Sequence, residues 1–251
     1  LEFRRVLFRS TTAVSCSRLI LGNHPDFRVD PIAAPAIAWL PVFVVFGLLT
    51  GGLGALYNKL VLWFLDHVGA WRRVPALAKA ALIGAVIGLA MFLSPLAVGG
   101  GDQLTQRILA GNHLVLTAVV GYLAVRLIAG PLSYSAAVPG GLFAPLLAVG
   151  SLWGVLFGAG VNVLWPGTAT TLAIPLALVG MAAFFGATVR APVTGMVLVA
   201  EMTATTEVIV PMMAATAAAV LAAHLVGSPP IYDSLRERMP DEEAIERRGD
   251  G

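Results

Sequence analysis

The segment VPGGLFAP at 138–145 combines residue types that can hold an anion. Gly140 and Gly141 let the backbone turn without a Cβ penalty. Pro145 suits the first turn of a helix, where a missing N–H costs nothing. The spacing predicts a helix opening at Leu142–Pro145 inside an apolar stretch. The first amides of a helix lack intrahelical acceptors, and its N-terminus carries about half a positive charge. With no acid nearby in the sequence, the amides of Leu142 and Phe143 would bind an anion, and the Phe143 ring would screen it from water. A glycine hinge with a packed turn fits the same residues. Tyr232, in PPIY at 229–232, offers a phenolic O–H, a neutral donor. An interfacial aromatic anchor is the commoner role for such a tyrosine. Neutral donors suit permeation, because a lysine or arginine in low dielectric would hold the anion too tightly for release.

The elements that must position these residues are set by composition. Of 251 residues, 58% are hydrophobic and 12% charged, and mean hydropathy is +0.85. Soluble domains carry about 25% charged residues. Residues 31–230 hold only eleven charged side chains. A stretch so poor in charge is solvated by lipid or by itself, so the expected fold is all-α, a polytopic membrane protein. One cysteine, Cys16, excludes an internal disulfide framework. A net charge of +2 gives no case for nucleic acid as a partner.

Residues 1–10, LEFRRVLFRS, read as a leader foreign to the chain. Residues 11–22 read as the tail of an apolar helix, and 23–35 as a polar, proline-punctuated loop. A long helix is expected over 36–66, with Trp63 and Trp71 at its far end, and a second span over 76–98. GGGD at 99–102 lacks the Lys-Ser/Thr of a phosphate loop and reads as a turn, with Asp102 as cap of a short polar helix over 103–112. An apolar helix follows over 114–130. From Pro131 onward, glycines and prolines interrupt every apolar run, the signature of broken and re-entrant helices. A short amphipathic helix at 231–239 precedes a polar tail, 240–251. Arg72, Arg73 and Lys79, with Arg236, Arg238, Arg247 and Arg248, assign that loop and the C-terminus to the cytoplasm. The 23–35 loop then faces outward.

Three motifs, GGLFAP, GMAAFFGATVRAPVTGMVLVAEMT at 180–203 and PIYDSL at 230–235, occur once each and in order. Together they resemble the CLC family of chloride channels and chloride/proton antiporters, from about residue 13 to 239. The resemblance implies a homodimeric, all-helical pore domain of two inverted halves, with this chain matching the second half and the end of the first. It implies bound chloride at the backbone amides of Leu142 and Phe143, beside Gly140 and Gly141, and at the Tyr232 hydroxyl, with no other cofactor. The family's serine in GSGIP and gating glutamate in GREGP match nothing here. The expected function is therefore anion transport across the cell membrane, by channel or H+/Cl− antiport, as a truncated chain without the gate.

A cation-coupled secondary transporter with broken helices is the alternative, along with a non-functional fragment. The first needs a midplane carboxylate, and Glu201 alone qualifies, although its place near a segment end favours a structural role. An intramembrane enzyme lacks HExxH and GxSxG. Arg190 is expected to tether a broken helix end through carbonyls, and Glu207 to flank the helix after it. His224 stands alone in an alanine-rich helix. The resemblance places a dimer surface on helices matching 173–189 and 193–218, where the small residues Ala182, Ala183, Gly186, Ala187, Ala214, Ala215, Ala217 and Ala218 would permit close helix packing.

Overall fold

A computed structural model describes residues 11–13, 15–16, 18–20, 22, 24–71, 73–112, 114–136 and 141–238. The leader at 1–10, the tail at 240–251 and Gly140 lie outside the described residues. A 3-10 turn, Ile37–Trp39, leads into α1, Leu40–Gly69. At about 1.5 Å per residue, its 30 residues exceed the hydrocarbon core. Lys79 Nζ donates to the Val68 carbonyl at 2.8 Å and draws the return helix α2, Ala76–Leu93, back to α1. The sequence reading carried this span to residue 98. It ends at Leu93 because Ser94 turns extended, with φ −151° and ψ 93°.

Then follow α3 (Asp102–Leu109), α4 (Leu116–Tyr134), α5 (Phe143–Leu164), α6 (Ala169–Val189), α7 (Pro192–Thr203), α8 (Ile209–Leu225) and α9 (Ile231–Arg236). There is no strand among the described residues. The first span, α2, α4, α5 and α6 are long and apolar enough to cross a membrane, and α7 and α8 are shorter apolar helices. Asp102 does not cap α3. Gly101, at φ +92°, is the N-cap, and Asp102 is the first helical residue, with no side-chain capping bond.

The proline-rich stretch is less broken than its sequence suggests. Pro131 lies inside α4 and Pro175 inside α6 without ending either helix. Each proline removes one N–H donor, and neighbouring helices tolerate such a gap at membrane depth. The break comes at Arg190, left-handed at φ +66°, whose amide still closes on the Gly186 carbonyl at 2.9 Å. As the sequence reading expected, its guanidinium tethers the break through carbonyls: Nη1 donates to Val220 at 3.1 Å and Nη2 to Ser228 at 2.7 Å.

α6 is the most buried helix and packs on α5, α8, α1 and α7. Lipid supplies little hydrophobic drive between helices, so close backbone approach of small residues sets the contacts. α5 meets α6 where Gly150 and Gly180 each face the other's carbonyl so closely that neither can carry a Cβ. α1 meets α8 in the same way, Gly47 against Ala215 and Gly51 against Ala219. The small residues read as a dimer face are therefore largely used within the chain. Ala182, Ala183 and Ala187 are fully buried, and Gly186 lies against Thr216. Ala217 stays exposed. By contrast, α2 buries only Ile83.

The two ends of α1 mark two faces. Near its end, Asp66 pairs with Arg238 at 3.2 Å, just past α9. Near its start, the loop before Ile37 docks on α3 and α7. Gln106 accepts from the Arg28 amide and donates to the Arg28 carbonyl, both at 2.9 Å, and the Phe27 amide reaches the Met202 carbonyl at 2.9 Å.

Candidate anion site

The helix predicted over Leu142–Pro145 begins at Phe143, with Leu142 as N-cap and Pro145 in its first turn. No side chain caps this end, and no acceptor among the described residues meets the amides of Leu142 and Phe143. Leu142 is buried, 2% exposed. It lines a cavity of about 220 Å³ together with Gly141, Pro145, Arg126, Gly130, Ser133 and Tyr134. The Phe143 ring is not in this wall. It packs edge-on against Phe185, with centroids 5.5 Å apart. Gly140 lies outside the described residues.

Tyr232, second residue of α9, is 44% exposed and is also not in the wall. Its phenol interacts electrostatically with Tyr134, which is in the wall. Desolvation, then Tyr134, pushes the Tyr232 phenol above its ordinary value of 10.0, so it remains a protonated O–H donor at neutral pH.

Two charged groups correct the expectation of a neutral, acid-free site. Arg126, 4% exposed, donates from Nη1 to Gly99 at 3.0 Å and from Nη2 to Leu96 at 2.8 Å and Val98 at 3.2 Å. It thus holds the chain between α2 and α3 by its carbonyls. Asp102 interacts electrostatically with it. Asp102 Oδ2 and Ala144 Cβ lie 3.2 and 3.6 Å from the point where a Gly100 Cβ would stand, so the carboxylate is close to the first turn of α5. The GGGD segment is a turn, and it docks charge beside the helix start. The carboxylate and the three carbonyls that Arg126 already engages oppose its attraction for a free anion.

The sequence did carry a signal for this wall. Arg126, Ala129, Gly130, Ser133 and Tyr134 recur at helical spacing on one face of α4, and all line the cavity. Glu201 is exposed near the end of α7 and does not line it. His224 is exposed in the last turn of α8, and Glu207 is exposed just before that helix. No group of three or more His, Cys, Asp or Glu able to hold a metal occurs among the described residues.

A bundle of apolar helices, with a broken helix pair and an uncapped helix start on a cavity, fits a polytopic membrane protein. The family model for the voltage gated chloride channel matches residues 2–224, and the chain belongs to that family. It is 35% identical over 244 residues to the H(+)/Cl(−) exchange transporter ClcA of Vibrio parahaemolyticus, covering 95% of this chain and 51% of that protein. Against the Salmonella agona ClcA it is 34% identical over 226 residues, 88% of this chain and 47% of that protein. The chain spans about half the length of these curated relatives. The crystal structure of a slow cyanobacterial Cl−/H+ antiporter superposes with a TM-score of 0.80 at 28% identity, over 88% of this chain and 52% of that one. A CLC-type fluoride/proton antiporter shares the fold alone, at 18% identity and a TM-score of 0.64, over 82% of this chain and 50% of that one.

Proposed function

We propose that the chain carries the C-terminal part of a CLC-type chloride pathway, and that chloride transport, by channel or by H+/Cl− exchange, is the activity of the protein it forms part of. The carrying observation is the uncapped start of α5, whose buried N-cap Leu142 opens on the cavity. In this reading the Leu142 and Phe143 amides bind chloride, Gly140 and Gly141 let the chain turn into them, and the Tyr232 hydroxyl donates from α9. The relatives' printed function, exchange of H+ for Cl−, supports chloride as the ion. The family's GSGIP and GREGP motifs match nothing here, so in this reading the chain alone binds chloride without gated exchange.

The working form is a homodimer in the cell membrane, each copy holding its own pathway. The loop at 70–75 and the C-terminus face the cytoplasm. Support comes from the Arg238–Asp66 pair, which brings the end of α9 to the loop end of α1, where Lys79 also reaches the Val68 carbonyl.

The test is calorimetry of purified chain in detergent, titrated with chloride against gluconate. Amide-to-ester replacement at Phe143 removes one donor and keeps the side chain. Saturable chloride binding that weakens on ester replacement is expected. Absence of chloride binding, or equal affinity after replacement, overturns the reading. Robust proton-coupled chloride flux from liposomes holding only this chain overturns its truncated part.

A further inference from the structure

Tyr57 is fully buried on α1, and its hydroxyl has no hydrogen-bond partner among the described residues. A phenol inside an apolar bundle ordinarily finds one, and an orphan points to a missing ion or water. The ring cannot swing to seek one elsewhere. It stands edge-on to Phe184, with centroids 5.6 Å apart and planes at 74°. Its hydroxyl meets α4 at Gly130, where a Cβ would stand 2.6 Å from the oxygen. Gly130 also forms part of the wall of the cavity onto which Leu142 opens. Tyr57 is not itself in that wall; glycine at 130 is what lets the phenol come up directly behind it. Arg126, in the same wall, and Tyr232 both interact electrostatically with Tyr57.

We propose that the Tyr57 hydroxyl is a chloride ligand, a second phenolic donor that approaches the ion from α1 while the start of α5 and Tyr232 approach from their own sides. The proposal rests on the chloride reading of the Leu142 cavity. The wall is rich in donors, which suits an anion, and the chloride series below separates an anion from a water molecule. The α5 amides are donors only, and the guanidinium is a donor only. The carbonyls of Leu96, Val98 and Gly99 each already accept from Arg126, and the Asp102 carboxylate is engaged electrostatically with the same guanidinium. A water molecule needs acceptors as well as donors, whereas a chloride ion needs donors alone. Tyr57 and Tyr232 stand 175 positions apart in the sequence, yet both sense the same cluster of α4 groups through Arg126 and Tyr134.

The test is thermal unfolding of the purified chain in detergent across a chloride series, with gluconate holding ionic strength constant. Wild type is expected to gain stability as chloride rises, since a ligand that binds only the folded state stabilises it. Tyr57→Phe is isosteric and is expected to raise the half-maximal chloride concentration by about 3- to 10-fold, the loss of one hydrogen bond to the ion. Incorporation of 3-fluorotyrosine at position 57, a stronger donor, is expected to lower it. If Tyr57→Phe is more stable at every chloride concentration but keeps the wild-type chloride dependence, the hydroxyl is a structural orphan and the proposal is overturned, with the chloride reading intact. If wild type shows no chloride dependence, the chloride reading itself fails, and this assignment with it.

Discussion

The Asn58 side chain on α1 donates to the carbonyl of Pro229, 171 positions later, at 3.0 Å. The same Nδ2 faces the Thr188 carbonyl at 3.1 Å and Ser228 Oγ at 3.3 Å. Arg190 holds the Ser228 carbonyl from the other side. A buried amide and a part-buried guanidinium thus grip the two residues that precede the Pro230 cap of α9, and so fix the approach to Tyr232. Asn58→Ala removes these bonds without adding volume to the buried site. Loss of roughly 1–3 kcal/mol of stability is expected, read by thermal unfolding in detergent. Weaker chloride binding should accompany it, because Tyr232 loses its aim.

Arg190 combines a tether with a left-handed backbone at φ +66°. Replacing it with alanine removes the tether and keeps the backbone strain. Replacing it with glycine removes the tether and relieves the strain, which costs a non-glycine residue roughly 1 kcal/mol. Both variants should be less stable than wild type, and Arg190→Gly should be more stable than Arg190→Ala by about that amount. Equal melting temperatures for the two would show that the left-handed conformation is not retained.

Tyr232→Phe should keep the fold, since the ring is partly exposed on a short helix. Chloride binding should weaken by about 0.5–1.5 kcal/mol, the net worth of one hydrogen bond. The pH dependence has a definite sign. The Tyr232 phenol sits above its ordinary 10.0 in the folded state. Its contribution is therefore complete below that ordinary value and is lost only as pH rises through the raised one. Chloride affinity should be flat with respect to this group at neutral pH and should fall in strong alkali. A titration step at neutral pH that Tyr232→Phe removes would contradict this.

The membrane class, the long first helix, the helix start at Phe143 and the break at Arg190 were all legible, because each follows from composition or from local glycine and proline chemistry. What was not legible is tertiary. Nothing local to GGGD indicates that the turn lies against Ala144 and Ala148 of α5 and brings Asp102 there. Pro131 and Pro175 read as breaks because the sequence does not reveal which neighbours cover the gap a proline leaves. The alanines of α6 and α8 read as an outward face, yet Gly47 and Gly51 on α1 turn α8 inward. Arg126 was counted as one charge among eleven, although its helical spacing with Gly130, Ser133 and Tyr134 marks a polar face.

Gly180→Ala tests a close helix crossing. A Cβ at 180 would strike the Gly150 carbonyl, and both helices are fixed there by further contacts at Gly154. Backbone cannot yield as a side-chain tip can, so the overpacking cost should reach the upper part of the usual range, about 3 kcal/mol. A much lower melting temperature in detergent is expected, with no recovery from added chloride. Gly52→Ala meets nothing within 4 Å and serves as the neutral comparison.

Gly130→Ala and Tyr57→Phe should be strongly coupled. Alone, the alanine places a Cβ 2.6 Å from the Tyr57 oxygen. That oxygen ends a rigid ring held edge-on to Phe184 in a fully buried site, so relief requires α1 and α4 to part. A penalty of about 1–3 kcal/mol follows from overpacking. Phenylalanine at 57 removes the clashing atom and leaves the ring in place. In its presence, alanine at 130 regains the helix-propensity advantage over glycine, about 1 kcal/mol. The double variant should therefore be at least as stable as Tyr57→Phe alone, giving an interaction energy of roughly 2 kcal/mol or more in a double-mutant cycle. Thermal unfolding of the four proteins at fixed, low chloride supplies the cycle. Additive effects would mean that the Tyr57 hydroxyl does not face Gly130, and would remove the contact on which the assignment of Tyr57 to the chloride site depends.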